Sequence, residues 1–359
     1  IREIQQLFLE QIARAKHFIY AENQYFASPK IADAIAHRMA EDNPPEIIIV
    51  NPATADGWLE QKAMDSARVQ LVRAIGKHDK KNRFSIYIPH TKMGEPIYVH
   101  AKLLIVDGHL GFTGGVGVAP QWTGSGQDPE HWRDTHFQVE GPVVAQMQSV
   151  FIDNWIKVTG HVLHGPAYFP ALSPVGPSLA QMFSSSPSGG SESMQLMYLL
   201  AITSASRTID LSAAYFVPDE LTLQALTEAL KRGVKLRIVV PGEHIDSDTV
   251  RNASRATWGP LLLAGATIAE YTPTMYHCKL MIVDGLLTSV GSTNFDNRSF
   301  RLNDEATLNI VDQDFARIQT ATFEADLALA KPVTYAQWRA RPAREKFTEW
   351  LASLIDTQL

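Results

Sequence analysis

Several features that would assign a chain quickly are scarce or missing here. The 359 residues contain one cysteine, Cys278, which excludes an internal disulfide and leaves no cysteine pair for a structural metal site. No uninterrupted apolar run approaches the ~18–20 residues that a membrane-spanning helix needs, so neither a span nor a signal peptide is read. Basic residues are outnumbered, 32 Lys and Arg against 38 Asp and Glu, giving a formal charge of −6. A general nucleic-acid binder more often carries a basic surplus, which weighs against that class. His131, His136, His161 and His164 lie close in sequence, but their spacings do not converge on a ligand set, so no metal and no cofactor is expected. Disorder is also excluded, because 45% hydrophobic residues at this length can bury a large core.

What is present is a repeat. His100-Ala-Lys102, four apolar residues and Asp107 recur as His277-Cys-Lys279, four apolar residues and Asp284. A single His-x-Lys would most simply be a surface pair; two copies with identical spacing point to a shared reactive set. The runs Leu103 to Val106 and Leu280 to Val283 read as strands buried on both faces. Placed on such strands, each His and its Lys project from the same face. Asp107-Gly108 and Asp284-Gly285 read as hairpin turns, for which the aspartates suit the backbone whether or not they do chemistry. Folding back at these turns brings Gly114 and Gly115 beside the first pair, and Gly291 to Asn294 beside the second. Cys278, between His277 and Lys279, reads as a small buried side chain on the opposite face.

The chemistry implied is that of an anion, most simply a phosphate. Each lysine supplies a fixed positive charge, Ser292 and Asn294 add neutral donors, and the glycines let backbone N–H groups approach closely. Histidine titrates near neutrality and serves as nucleophile, base or acid. Two of them can divide a two-step transfer, one attacking phosphorus and the other protonating the departing alcohol.

These residues resemble the paired H-x-K-x4-D signature of the phospholipase D superfamily. The second copy, His277 through Gly291-Ser292-Thr293-Asn294-Phe295-Asp296-Asn297-Arg298-Ser299, is similar to the long family pattern almost residue for residue. Trp132-Arg133-Asp134 and Asp304-Glu305, with their neighbours, resemble the bacterial cardiolipin synthase branch. Over the first hundred residues, Glu22-Asn23-Gln24-Tyr25-Phe26 and Glu95 to His100 look more like a different phospholipase D branch. Gly117 stands where the family commonly has Asn, so the first half would bind phosphate through backbone donors.

The resemblance implies an α/β fold of two similar α-β-α sandwich halves related by pseudo-twofold symmetry, with the active site at their interface. The first domain is expected over 1–164, a Pro-, Gly- and Ser-rich connection over 165–193 and the second domain over 194–359. It implies an enzyme that transfers or hydrolyses phosphodiesters of glycerophospholipids such as phosphatidylglycerol through a covalent phosphohistidine. His100 would attack and His277 would act as acid and base. Asp134 and Glu305 would fix the imidazoles through their far nitrogens, and no metal would be needed. A nuclease with the same machinery and an inactive scaffold are the alternatives. Members of that branch usually carry N-terminal membrane helices, so a soluble relative or a trimmed piece is expected, peripheral at a bacterial membrane. Trp122, Trp132 and Trp155 would lie at a lipid-facing entrance or in the core. Hydrolysis against transfer, the acceptor alcohol, the attacking histidine and the oligomeric state stay open.

Overall fold

Two strand systems organise the chain, and a computed structural model describes residues 3–52, 58–90, 97–186 and 193–354. Glu95-Pro96, and Pro187 to Gly190 of the serine-rich stretch, lie outside the described residues.

Unit 1 comprises residues 1–125, 136–176 and 304–306. Its strands are β1 (Phe18–Glu22), β2 (Glu46–Val50), β3 (Phe84–Tyr87), β4 (Leu103–Val106), β5 (Leu110–Gly114) and β6 (His136–Glu140), in sheet order β3-β2-β1-β4-β5-β6. The β1–β2 and β2–β3 pairings are parallel, while β4 runs antiparallel to β1 and to β5. One face buries Phe8 and Ile12 of α1 (Glu3–Arg14) with Ile31, Ile35 and Met39 of α2 (Pro29–Met39), packed on Ile19, Ile47, Ile49 and Phe112. The apolar residues of these helices recur at three- and four-residue spacing, as a helix laid on a sheet requires. Trp58–Gly76 forms α3, which packs on α2 and β3. The opposite face is covered by α4 (Val143–Thr159), where Phe151 stacks on Tyr20 at 4.9 Å between centroids.

Unit 2 comprises residues 126–135, 177–303 and 307–359. Its larger sheet contains β7 (Leu179–Ser185), β8 (Thr208–Ala213), β10 (Lys235–Pro241), β11 (Thr267–Tyr271), β12 (Lys279–Val283), β13 (Leu287–Gly291), β15 (Glu305–Val311) and β16 (Ala330–Val333); β9 (Phe216–Val217) and β14 (Phe295–Asp296) pair separately. Strand order is β16-β11-β10-β8-β12-β13-β15-β7. Its middle six, β11-β10-β8-β12-β13-β15, repeat the order and the parallel or antiparallel sense of unit 1 strand for strand. Met194, Tyr198 and Ile202 of α5 (Ser193–Ser204), Leu226 and Ala229 of α6 (Glu220–Lys231), and Trp258 and Leu261 of α7 (Asp248–Leu263) cover one face. The five-residue α8 (Asn297–Arg301) follows β14, and α9 (Gln313–Ala328) covers the other face. Two C-terminal helices, α10 (Tyr335–Arg339) and α11 (Ala343–Ser353), pack on α7. Each unit is therefore an α-β-α sandwich, as the resemblance implies. The stretch 165–193, read as a connection, also supplies the strand β7.

Both hairpin aspartates adopt the left-handed conformation, φ 53° at Asp107 and 56° at Asp284, each followed by a left-handed glycine. Two successive positive φ values are what the tight hairpin demands, and Asp-Gly tolerates them. The carboxylates are committed to backbone. Asp107 accepts from the N–H groups of Lys16, His17 and Phe18 at 2.8–2.9 Å, and Asp284 from those of Ser206, Arg207 and Thr208 at 2.7–2.9 Å. Each hairpin is thereby tied to the chain entering the neighbouring strand. Burial by itself raises the Asp284 pKa, but hydrogen bonds from Thr208, Ser206 and Arg207 outweigh it and bring the group down to about 2. Its folded-state pKa lies below the unfolded value, so its stabilisation is present above about pH 4 and is lost as pH falls towards 2. Asp284→Asn keeps the turn and removes the charge. It is expected to lower stability by about 1–3 kcal/mol at pH 7, with the gap to the unsubstituted protein closing between pH 4 and 2 in chemical denaturation.

Among the described residues, no helix is long and apolar enough to cross a membrane.

Candidate active site

In unit 1 the reactive residues occupy the segment just before β4. His100 and Lys102 were expected on the strand itself, yet β4 begins at Leu103. The reason lies in the backbone: the N–H groups of His100 and Ala101 both donate to the carbonyl of Asp304, at 3.0 and 2.9 Å, rather than to a sheet neighbour. In unit 2, Lys279 opens β12 and His277 precedes it, with the His277 N–H donating to the carbonyl of Arg133 at 2.8 Å.

The carboxylates reach the imidazoles as follows. Nδ1 of His100 lies 2.8 and 2.9 Å from the two Glu305 oxygens, and Nδ1 of His277 lies 2.7 Å from Asp134 Oδ2. Both pairs are desolvated: side-chain exposure is 7% for each histidine, 0% for Glu305 and 2% for Asp134. A carboxylate on Nδ1 holds the proton there and leaves Nε2 with its lone pair outward, while stabilising the ring if it becomes charged. Asp134 lies nearer His100 in sequence but belongs to unit 2; Glu305, the first residue of β15, lies nearer His277 but groups with unit 1, the strand from Thr307 onward belonging to unit 2.

The lysines are buried and anchored. Lys102 Nζ donates to the His100 carbonyl at 2.8 Å and to Gln24 Oε1 at 3.4 Å. Gln24 in turn donates to the Tyr98 hydroxyl at 2.6 Å, and the Tyr98 ring stacks near His100 at 6.1 Å. Lys279 Nζ donates to the His277 carbonyl at 2.9 Å and lies 3.1–3.2 Å from both ring nitrogens of His277, so its charge rests against the ring. Trp132 closes over His277 with a centroid distance of 5.2 Å. Of the three tryptophans weighed for an entrance, Trp122 and Trp155 are core and only Trp132 is half-buried beside a candidate site residue.

The glycine and serine elements also fall where the hairpins put them. Pairing of β4 with β5 ends at Leu103 opposite Thr113, leaving Gly114 and Gly115 adjoining Lys102; β12 with β13 ends at Leu280 opposite Val290, leaving Gly291 and Ser292 adjoining Lys279. Ser292 and Asn294 are buried, and Asn294 Oδ1 meets no hydrogen-bond partner among the described residues. Two further residues of the long motif, Asp296 and Ser299, are architectural. Asp296 caps α8 by accepting from Ser299 N–H at 2.7 Å, and Ser299 Oγ accepts from Asn294 N–H at 3.1 Å. At Gly117 a β-carbon would come within 2.8–2.9 Å of the Trp122 ring and 2.9 Å of Tyr25. Packed aromatics occupy the space a side chain would need.

Cys278 is buried, and desolvation pushes its thiol up to about 12, which leaves it inert. Among the described residues, no group of three or more His, Cys, Asp or Glu is placed to hold a metal ion. Gln24, Tyr98 and Arg133 escaped the sequence reading as site neighbours. Gln24 and Arg133 stand inside the family-like stretches and Tyr98 two residues before His100, and these positions were their only signals.

The family profile described as "Cardiolipin synthase, PLD-like domain" matches residues 198–327, which include the second motif. The chain is 30% identical over 98% of its length to the cardiolipin synthase of Geobacillus thermodenitrificans (strain NG80-2), of which it covers 69%. It is 37% identical over 66% of its length to cardiolipin synthase A of Pseudomonas putida (strain W619), of which it covers 48%. Other curated cardiolipin synthases are likewise matched over about half of their own length. In fold, the chain matches the phosphatidylserine synthase of Haemophilus influenzae Rd KW20 over 100% of its length and 94% of that chain, with a TM-score of 0.74 at 13% identity. Sequence identity along nearly the whole chain, and the duplicated His-x-Lys set at the start of matching strands in two repeated sheets, place it in the cardiolipin synthase family of phospholipase D-like proteins.

Proposed function

We propose that the protein transfers or hydrolyses the phosphodiester of a glycerophospholipid, with phosphatidylglycerol as the donor, through a covalent phosphohistidine. The observation that carries this reading is the pair of buried histidines, each with a carboxylate on Nδ1 and a lysine two residues on. In the first step Nε2 of His100 forms a bond to phosphorus, the bond from phosphorus to the glycerol oxygen breaks, and His277 gives that oxygen its proton. In the second, His277 takes a proton from water or from a lipid alcohol, whose oxygen displaces His100. Lys102, Lys279, Ser292, Asn294 and the backbone at Gly114 and Gly115 hold the non-bridging oxygens and offset the charge that builds on them. Water yields phosphatidic acid; the hydroxyl of a second phosphatidylglycerol yields cardiolipin.

Membrane contact belongs to this reading, at α11. Phe347, Trp350, Leu351 and Leu354 recur at helical spacing and are 45–60% exposed, flanked by exposed Arg344 and Lys346. Aromatic and aliphatic side chains beside basic ones suit the interface of an anionic bilayer. The inner face of α11 packs Ala352 with Val217, Val250 and Tyr215, and the Tyr215 carbonyl accepts from Phe295 N–H, one residue beyond Asn294.

Lipid mass spectrometry after incubation with phosphatidylglycerol vesicles, chelator present, is expected to show cardiolipin or phosphatidic acid. Cleavage of single-stranded DNA with the lipid untouched would replace this reading with a nuclease, and neither product would favour a scaffold. Trp350→Ser together with Phe347→Ser is expected to lower vesicle sedimentation and turnover about tenfold, leaving turnover of a detergent-dispersed lipid within twofold.

A further inference from the structure

The two acid-bearing segments dock by the same backbone device. Asp304 N–H donates to the Tyr98 carbonyl at 3.1 Å and its carbonyl accepts from His100; Arg133 N–H donates to the Met275 carbonyl at 2.9 Å and its carbonyl accepts from His277. Each forms a one-residue parallel bridge, Asp304 with Val99 and Arg133 with Tyr276. Each is followed by the carboxylate that meets the histidine. The bridge is the same at both places, although the Asp304 carbonyl also accepts from Ala101 N–H, so this backbone device does little to tell the segments apart.

The side chains do tell them apart. The Arg133 guanidinium forks onto Asp326 of α9 with two bonds of 2.9 Å, while the Asp304 carboxylate receives Lys157 of α4 at 3.4 Å. The helices α4 and α9 hold the same place in the two folds, each following the last antiparallel strand of its repeat. The polarity is opposite: the incoming residue is basic in unit 2 and acidic in unit 1. Asp326 is 8% exposed, Asp304 3%, and Arg133 and Lys157 about a fifth. Exchanging the segments would set Arg133 against Lys157 and Asp304 against Asp326, two like-charge contacts largely out of water, where they are most costly.

We propose that the Arg133–Asp326 and Asp304–Lys157 ion pairs form a charge key that seats each acid-bearing segment in its own unit and sets Asp134 on His277 and Glu305 on His100. These four are positioning residues. Neighbouring groups reinforce the key. Arg133 also donates to the Asp134 carbonyl at 2.6 Å, and the Tyr276 hydroxyl donates to Asp326 at 3.1 Å. Lys157 is shared with Asp153 and Asn154 at 2.8 and 2.9 Å, and Asn154 donates to Glu22 at 3.1 Å. Burial raises the pKa of the Glu22 carboxyl, which the Asn154 amide meets.

The key rests on the reading of His277 as acid and base, so its test includes a measurement independent of turnover. In the full chain, Arg133→Asp is expected to lower kcat about 100-fold with KM within threefold, and to abolish the downfield Nδ1–H proton resonance of His277. Combining it with Asp326→Arg is expected to restore the resonance and at least tenfold of the lost kcat. Arg133→Gln, which adds no repulsion, guards against a variant that fails to fold and is expected to move the His277 limb of the pH–kcat profile in protein that still unfolds cooperatively, at a lowered melting temperature. A restored resonance without any lipid turnover upholds the key and overturns the catalytic reading. A double reversal no better than the single one, or a wild-type profile for Arg133→Gln, overturns the key.

Discussion

Replacing His100 with Asn is expected to lower kcat on phosphatidylglycerol by about 10³-fold or more at an unchanged melting temperature, because the proposed nucleophile is removed and no second step would follow. His277→Asn is expected to cost about 10²–10⁴-fold on the same lipid. The two variants part company when the leaving group changes. An aryl phosphodiester departs without a proton, so His277→Asn recovers its first step on that substrate and accumulates phosphoenzyme, whereas His100→Asn recovers nothing. Rapid quench and peptide mapping of the His277→Asn protein then finds phosphate on His100. Phosphate on neither histidine ends the covalent mechanism, and phosphate on His277 in the complementary variant reverses the two roles.

The second large effect is expected at the carboxylates. Glu305→Gln can present an N–H to Nδ1 of His100, which moves the ring proton to Nε2 and blocks the lone pair meant for phosphorus; a loss of about 10²–10⁴-fold in kcat follows from comparable tautomer errors. Asp134→Asn acts on the other ring. In the proposed mechanism His277 holds a bare Nε2 to deprotonate the acceptor, so breakdown of the phosphoenzyme is expected to slow more than its formation and the adduct to build up in pre-steady-state experiments. If Glu305→Gln retains full turnover, the 2.8 and 2.9 Å contacts to His100 are packing and not chemistry.

Much of this site is legible without coordinates. Identical spacing of His, Lys and Asp in two places requires two similar local structures, and Asp-Gly after an apolar run prescribes the hairpin seen at Asp107 and Asp284. That geometry brings Gly114 and Ser292 back to their lysines by register alone. Less legible was the exact seat of the histidines. A run of apolar residues preceded by His-x-Lys reads as one strand, yet the amides of His100 and Ala101 are taken by Asp304, and this ends the ladder at Leu103. Gly117 shows another limit: a missing side chain reads as lost function, whereas Trp122 and Tyr25 occupy its volume.

The amino-acid order by itself determined the duplicated reactive set and the turns that shape it, because each depends on residues a few positions apart; the two acids came from the resemblance. Which acid serves which histidine was decided only by tertiary structure. Asp134 joins the unit of His277 and Glu305 that of His100, across 143 and 205 residues. Local propensity carries no information over such distances. The choice rests on buried ion pairs of opposite polarity, whose energies exist only once the sheets have formed and water has been excluded.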